Sequence, residues 1–137
     1  MDKPTDPADD AKTHAATFVV QEHWATHHHF DFRLEMDGVL KSWAVPKGPP
    51  ETKGIKRLAM AVDDHDLEYA TFEGEIPEGQ YGAGKVVIWD NGTYETKLRK
   101  PNEIAFELHG RRLHGEYALV LMKKEHNREM WLLFKRT

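Results

Sequence analysis

Residues 21–45 read QEHWATHHHFDFRLEMDGVLKSWAV, and the fold turns on how this run pairs with itself. Asp37-Gly38 is a two-residue hairpin signal, because both central positions of a type I′ turn need positive φ. Placing the turn there pairs Met36 with Val39, Leu34 with Lys41, Phe32 with Trp43 and Phe30 with Val45. Side chains alternate across a strand. One face then carries Phe30, Phe32, Leu34, Met36, Val39, Trp43 and Val45, which read as core, with Lys41 at its edge. The other face carries His29, Asp31 and Arg33 opposite Pro46, Ala44 and Ser42, small neighbours that leave room for a ligand.

Outward from the hairpin, the same texture continues. Thr17–His23 and Lys56–Asp63 read as strands, and 72–84 (FEGEIPEGQYGAG) as a long shaped loop. Asn91-Gly92 predicts a second hairpin between Lys85–Asp90 and Thr93–Lys97. Ile104–His109 and Leu113–Met122 make a third, followed by a charged turn over 123–128 and a closing strand, Glu129–Lys135. In the strand Arg57–His65 the odd positions Arg57, Ala59, Ala61, Asp63 and His65 share one face, leaving Leu58, Met60 and Val62 for the core. No helical pattern longer than about two turns survives the glycines and prolines. The expected class is mainly β: a compact antiparallel barrel with long loops and little helix.

The chain has 137 residues, which suits one domain over 16–137 behind a flexible acidic arm over 1–15. With no cysteine, disulfides, thiolate ligands and a cysteine nucleophile are excluded. Any metal is left to imidazole and carboxylate. No apolar run is long enough to span a bilayer, and the N-terminus lacks a signal peptide's apolar segment. A cytoplasmic protein that is not secreted is expected, monomeric and off the membrane. The net charge of −4 does not advertise nucleic-acid binding. Locally, however, Lys41, Lys47, Lys53, Lys56 and Arg57 face only Glu51 over 41–57.

The lean face of the hairpin is the candidate site. His29 and Asp31, two apart on one strand, reach one metal ion together, and His23 returns from across the turn after the first strand. Two imidazoles and a carboxylate form a facial set with open positions, as catalytic ions require. Arg33, one pleat on, is placed to fork onto an anion. The competing reading is a histidine-rich structural hairpin, with His27 and His28 merely covering it. His65 taken alone reads as a turn residue. There is no phosphate-binding P-loop and no Gly-x-Ser-x-Gly elbow.

Two long segments, QEHWATHHHFDFRLEMDGVLKSWAVPKGPP and KRLAMAVDDHDLEYATFEGEIPEGQYGAGKVVIWDNGTYE, resemble the 3′-phosphoesterase domain of bacterial DNA ligase D and its free-standing relatives. The resemblance implies a β-barrel-like fold and a Mn²⁺-dependent activity on DNA or RNA–DNA primer-template 3′ ends, with Co²⁺ or Zn²⁺ as other possible ions. Family members remove a 3′-terminal ribonucleoside, then the 3′-phosphate, leaving a 3′-hydroxyl. It implies metal ligation by His23, His29 and Asp31, phosphate contact by Arg33 and a second essential histidine at His65. Tyr69 matches a tyrosine near the phosphate, Lys47 and Arg57 match supporting basic residues, Gln21 a polar neighbour of the first ligand, and Asp63 an acidic position. Implied partners are a separate DNA ligase, a polymerase or Ku-type end-joining proteins, in a nucleoid-associated setting. Phe30 and Glu22 depart from the family's usual tyrosine and basic residue. The short acidic arm does not replace the family's longer charged one, so phosphate removal is the firmer expectation. The alternatives are an end-binding module without turnover and a cupin-like metal barrel. The second is disfavoured because Glu35 falls six residues after His29.

Overall fold

The computed structural model describes residues 15–137, and its strands run outward from the expected hairpin. β1 (Ala16–Trp24), β2 (His28–Met36), β3 (Val39–Val45) and β4 (Lys56–His65) follow in order. Asp37 and Gly38 take φ of 57° and 82°, as a type I′ turn requires. The register is the expected one: Met36 with Val39, Leu34 with Lys41, Phe32 with Trp43, Phe30 with Val45. A 3-10 turn (Leu67–Thr71) and β5 (Gly74–Ile76) lead to β6 (Gly84–Lys100). β7 (Glu103–Gly110), β8 (His114–Glu125) and β9 (Arg128–Lys135) complete the chain.

The sheet order is β1-β2-β3-β4-β9-β8-β7-β6-β5, and β6 also pairs with β1. The ring therefore closes through all strands except β5, which lies along the first residues of β6. Closure leaves no edge in the ring and gives an antiparallel barrel filled by side chains. Phe32 and Phe106 lie 5.8 Å apart in that filling, and Trp43 meets Trp131 edge-on at 6.1 Å. Buried tyrosine hydroxyls reach carbonyls: Tyr117 donates to Pro50 at 2.7 Å and Tyr94 to Glu35. Among the described residues no helix is long and apolar enough to cross a membrane. The arm expected over 1–15 falls, Ala15 apart, outside the described residues.

Three expectations are corrected. Asn91-Gly92 makes no turn; it lies inside the unbroken strand β6. A Cβ on Gly92 would sit 2.2 Å from the His109 carbonyl oxygen, so this glycine admits a close neighbouring strand. The actual β7–β8 turn is held by buried Asp90, whose carboxylate accepts the N–H groups of Arg111, Arg112 and Leu113. Second, the facing of β4 is reversed. Ala59 is fully buried across from Trp131, and Ala61 packs on the core across from Trp43. Leu58 and Val62 face outward, each 38% exposed. The two tryptophans supply the apolar surface on this face, and small alanines lie opposite them. Third, the link between β1 and β2, expected as a five-residue loop over Trp24–His28, is shorter, because Trp24 already pairs with His28.

Candidate active site

The barrel places the candidate site on its outer face. Cross-strand pairs bring Val19, Gln21 and His23 of β1 against Arg33, Asp31 and His29 of β2. Asp31 and Arg33 in turn lie against Ala44 and Ser42 of β3. On β4, Val62 pairs with Ser42 but His65 pairs with Leu40. Three residues on β4 thus match two on β3, a β-bulge. The bulge lets His65 share the outer face with Val62, contrary to the regular alternation expected of this strand.

Asp31 is the hub. Its Oδ2 lies 3.3 Å from His23 Nδ1 and its Oδ1 3.1 Å from His29 Nε2. One donor atom from each of His23, His29 and Asp31 falls within 4.8 Å of the others. Each imidazole is oriented by a backbone carbonyl at its other nitrogen: His23 Nε2 by Gly82 at 2.7 Å and His29 Nδ1 by His27 at 2.8 Å. With an ion bound, those nitrogens would keep the protons and the lone pairs of His23 Nδ1 and His29 Nε2 would serve it, the arrangement metal-ligating histidines adopt; the hydrogen bond from His29 to Asp31 belongs to the protonated imidazole. Burial pushes the Asp31 carboxyl up, but the His29 hydrogen bond and the Arg33, His29 and His23 charges outweigh it and hold it below its ordinary value. The hydrogen bond to Asp31 raises His29 against the opposing effect of burial.

Arg33, 3% exposed, is more committed than expected. Its Nε donates to Gln21 Oε1 at 2.6 Å, and Nη1 donates to Ser42 Oγ at 2.8 Å and to His65 Nδ1 at 3.0 Å. Ser42 accepts because its own hydroxyl donates to the Leu40 carbonyl. Nη2 lies 3.4 Å from Asp31 Oδ2. A guanidinium has five N–H groups, two of them on Nη2. A two-pronged fork onto an anion is therefore not on offer, and Nη2 is what remains. Burial draws Arg33 below its ordinary value, opposed by the charges of Asp31 and Tyr69.

His65 Nδ1 faces both Arg33 Nη1, a donor, and the Asp63 carbonyl, an acceptor at 3.2 Å; in the tautomer that accepts from the shorter Arg33 contact, the proton sits on Nε2. Burial and the Arg33 charge both lower its pKa. The Tyr69 ring lies 4.6 Å from the His65 ring and 5.0 Å beneath the Arg33 guanidinium, and stacks on Phe72. Gln21, fully buried, fixes this segment: its Nε2 donates to the carbonyls of Tyr69 and Phe72 at 2.9 and 3.2 Å.

A cavity of about 570 Å³ opens over these groups, lined by His23, His29, Asp31, Arg33, Asp63, His65 and Tyr69 among others. His27 lines it too, whereas His28 turns away to Glu22 and stacks on Trp24. Lys47 and Arg57 do not line it. Lys47 is exposed, and Arg57 donates to the Lys47 carbonyl from the core side of β4.

The model of the DNA ligase D 3′-phosphoesterase domain matches residues 21–121. The chain belongs to this family. It is 53% identical over 120 residues to the multifunctional non-homologous end joining protein LigD of Mycobacterium bovis, which covers 85% of this chain. It is 48% identical over 124 residues to that of Pseudomonas aeruginosa, covering 86%, and 51% identical over 117 residues to that of Mycolicibacterium smegmatis, covering 77%. In each case the match spans 15% of the relative's length. The family match runs from Gln21 through the candidate donors, His65 and Tyr69.

Sequence reasoning assigned no role to Ser42, nor to the backbone carbonyls of His27 and Gly82. Carbonyls leave no mark in a sequence. The glycines at 79 and 82 are the one available signal, marking a tight loop that touches His23.

Proposed function

We propose that the chain is a metal-dependent phosphoesterase that heals DNA 3′ ends in end joining. It removes a 3′-phosphate, and a 3′-terminal ribonucleoside ahead of it, to leave a 3′-hydroxyl for a ligase or polymerase. The observation that carries this reading is the convergence of His23, His29 and Asp31 donor atoms within 4.8 Å, with Arg33 against Asp31.

The donor set fits a divalent ion such as Mn²⁺: two oriented imidazoles, one ionised carboxylate and no thiolate. When bound, the ion would polarise a phosphate oxygen and acidify a coordinated water. Arg33 Nη2 and the Nε2–H of neutral His65 are the donors that would bind the remaining phosphate oxygens and stabilise charge as it develops. Gln21 and Ser42 hold Arg33 so that it does not reorganise during reaction. Tyr69 walls the cavity beneath Arg33 and His65. Phosphate contacts carry no base information, so cleavage is expected to be indifferent to sequence.

The test is a primer-template bearing a 3′-phosphate, incubated with Mn²⁺ or with chelator. Conversion to a 3′-hydroxyl only with Mn²⁺ supports the reading. Tight binding without conversion would return the end-binding alternative. A ribonucleotide-terminated primer reports the first step.

A further inference from the structure

Tyr81 is 98% exposed and nonetheless lines the cavity that holds His23, His29, Asp31 and His65. It is not on a loose tip. Gln80 N–H donates to the Pro77 carbonyl at 3.2 Å, and Ala83 N–H to the Gln80 carbonyl at 3.1 Å. Gly79 and Gly82 take φ of 90° and 77°, conformations a side chain disfavours. Two successive turns therefore bracket Tyr81. The carbonyl of the next residue, Gly82, is the group that orients His23. The tyrosine's place is thereby referenced to the first donor of the site.

The charge on this wall narrows what Tyr81 can hold. From Leu58 to Gly84 the chain has no lysine or arginine, and of its seven acidic residues only Asp63 lines the cavity; Asp66, Glu68 and Glu73 line a neighbouring cleft and Asp64 pairs with Lys41. Such a wall offers a phosphodiester backbone no cation to pair with. What it offers a nucleic acid is uncharged: the Tyr81 ring, with Ile76 and Ala83 beside it. An aromatic face stacks on any base, without regard to sequence.

We propose that Tyr81 is a stacking platform for the base of the 3′-terminal nucleotide, holding its 3′-phosphate over Asp31 and Arg33. This rests on the phosphoesterase reading and deepens it: the site recognises a nucleotide, not merely a phosphate ester.

The test uses an oligonucleotide with a 3′-phosphate and 2-aminopurine as its 3′-terminal base, in Mn²⁺. Stacking quenches 2-aminopurine fluorescence. The wild-type chain and Tyr81→Phe are expected to quench it, and Tyr81→Ala is not. In turnover, Tyr81→Ala is expected to raise KM about tenfold with kcat nearly unchanged. An abasic terminal residue should raise the wild-type KM by the same factor and leave Tyr81→Ala no worse. Equal quenching by Tyr81→Ala, or an undiminished further loss on the abasic end, would overturn the platform. Phosphate release reports the underlying reading separately. Quenching through Tyr81 without release keeps the platform and overturns the phosphoesterase. Release with unchanged KM in Tyr81→Ala does the reverse, and neither signal overturns both.

Discussion

Arg33 Nη1 lies 3.0 Å from His65 Nδ1, and the arginine can only donate. The His65 pKa is lowered, which favours the neutral ring, by burial first and the Arg33 charge second, against the Asp63 carbonyl 3.2 Å from the same nitrogen. The unfolded chain's histidine takes up its proton near pH 6.5, before the folded one does. This contribution to stability is full above pH 6.5 and is lost as pH falls through 6.5 toward the folded pKa. NMR titration is expected to find His65 protonating below the ordinary histidine value near 6.5, and Arg33→Met is expected to raise it.

His29→Ala is expected to abolish Mn²⁺-dependent turnover while leaving the circular dichroism spectrum unchanged, because the donor face is not the core face. Wild-type melting temperature should rise with Mn²⁺, reflecting about 2.7 kcal/mol at a hundredfold excess over Kd, and the variant should lose that response. A variant that unfolds instead would assign His29 a structural role.

Gln21→Leu is expected to cost about 2–4 kcal/mol by denaturant unfolding, since it strands the Arg33 Nε–H and two carbonyls at once. Amide exchange over residues 67–72 should accelerate more than in the remainder of the barrel. Uniform acceleration would show that Gln21 does not specifically tie down the segment under Tyr69.

The reversed facing of β4 is open to direct test. Ala59→Leu, at a fully buried position across from Trp131, should overpack the core and cost about 1–3 kcal/mol. Leu58→Gln should change stability by less than about 0.5 kcal/mol. The opposite ranking would restore the simple alternation.

Tyr94 is pushed up to about 12, chiefly by burial. An unfolded tyrosine ionises near pH 10, so this contribution is full below pH 10 and is lost as pH rises toward 12. Alkaline unfolding is expected to steepen across that window. Tyr94→Phe should flatten it while costing about 1 kcal/mol at neutral pH for the lost hydroxyl bond to the Glu35 carbonyl.

The β2–β3 hairpin was legible because turn chemistry and strict alternation agreed on one register. The donor face followed from it, since His29 and Asp31 sit on one strand. β4 was not legible, because its alanines answer tryptophans distant in sequence, and a bulge breaks the period before His65. Asn91-Gly92 misled for a related reason. The same dipeptide serves a tight turn or a close strand approach, and only His109 on the neighbouring strand decides between them. The Arg33 environment was only partly legible, because an arginine beside an aspartate shows nothing of Gln21, Ser42 and His65, which between them face three of its five N–H groups.

Ring closure between β1 and β6 sets an order on assembly. Val20 pairs with Asp90, and the carbonyl that orients His23 belongs to Gly82. His23 waits for Gly82, 59 residues further on, before its surroundings exist. Pairings so distant in sequence are slow to form. A nascent chain therefore displays the β2–β3 hairpin and its Asp31 well before it possesses a finished binding site, so competence arrives late and all at once.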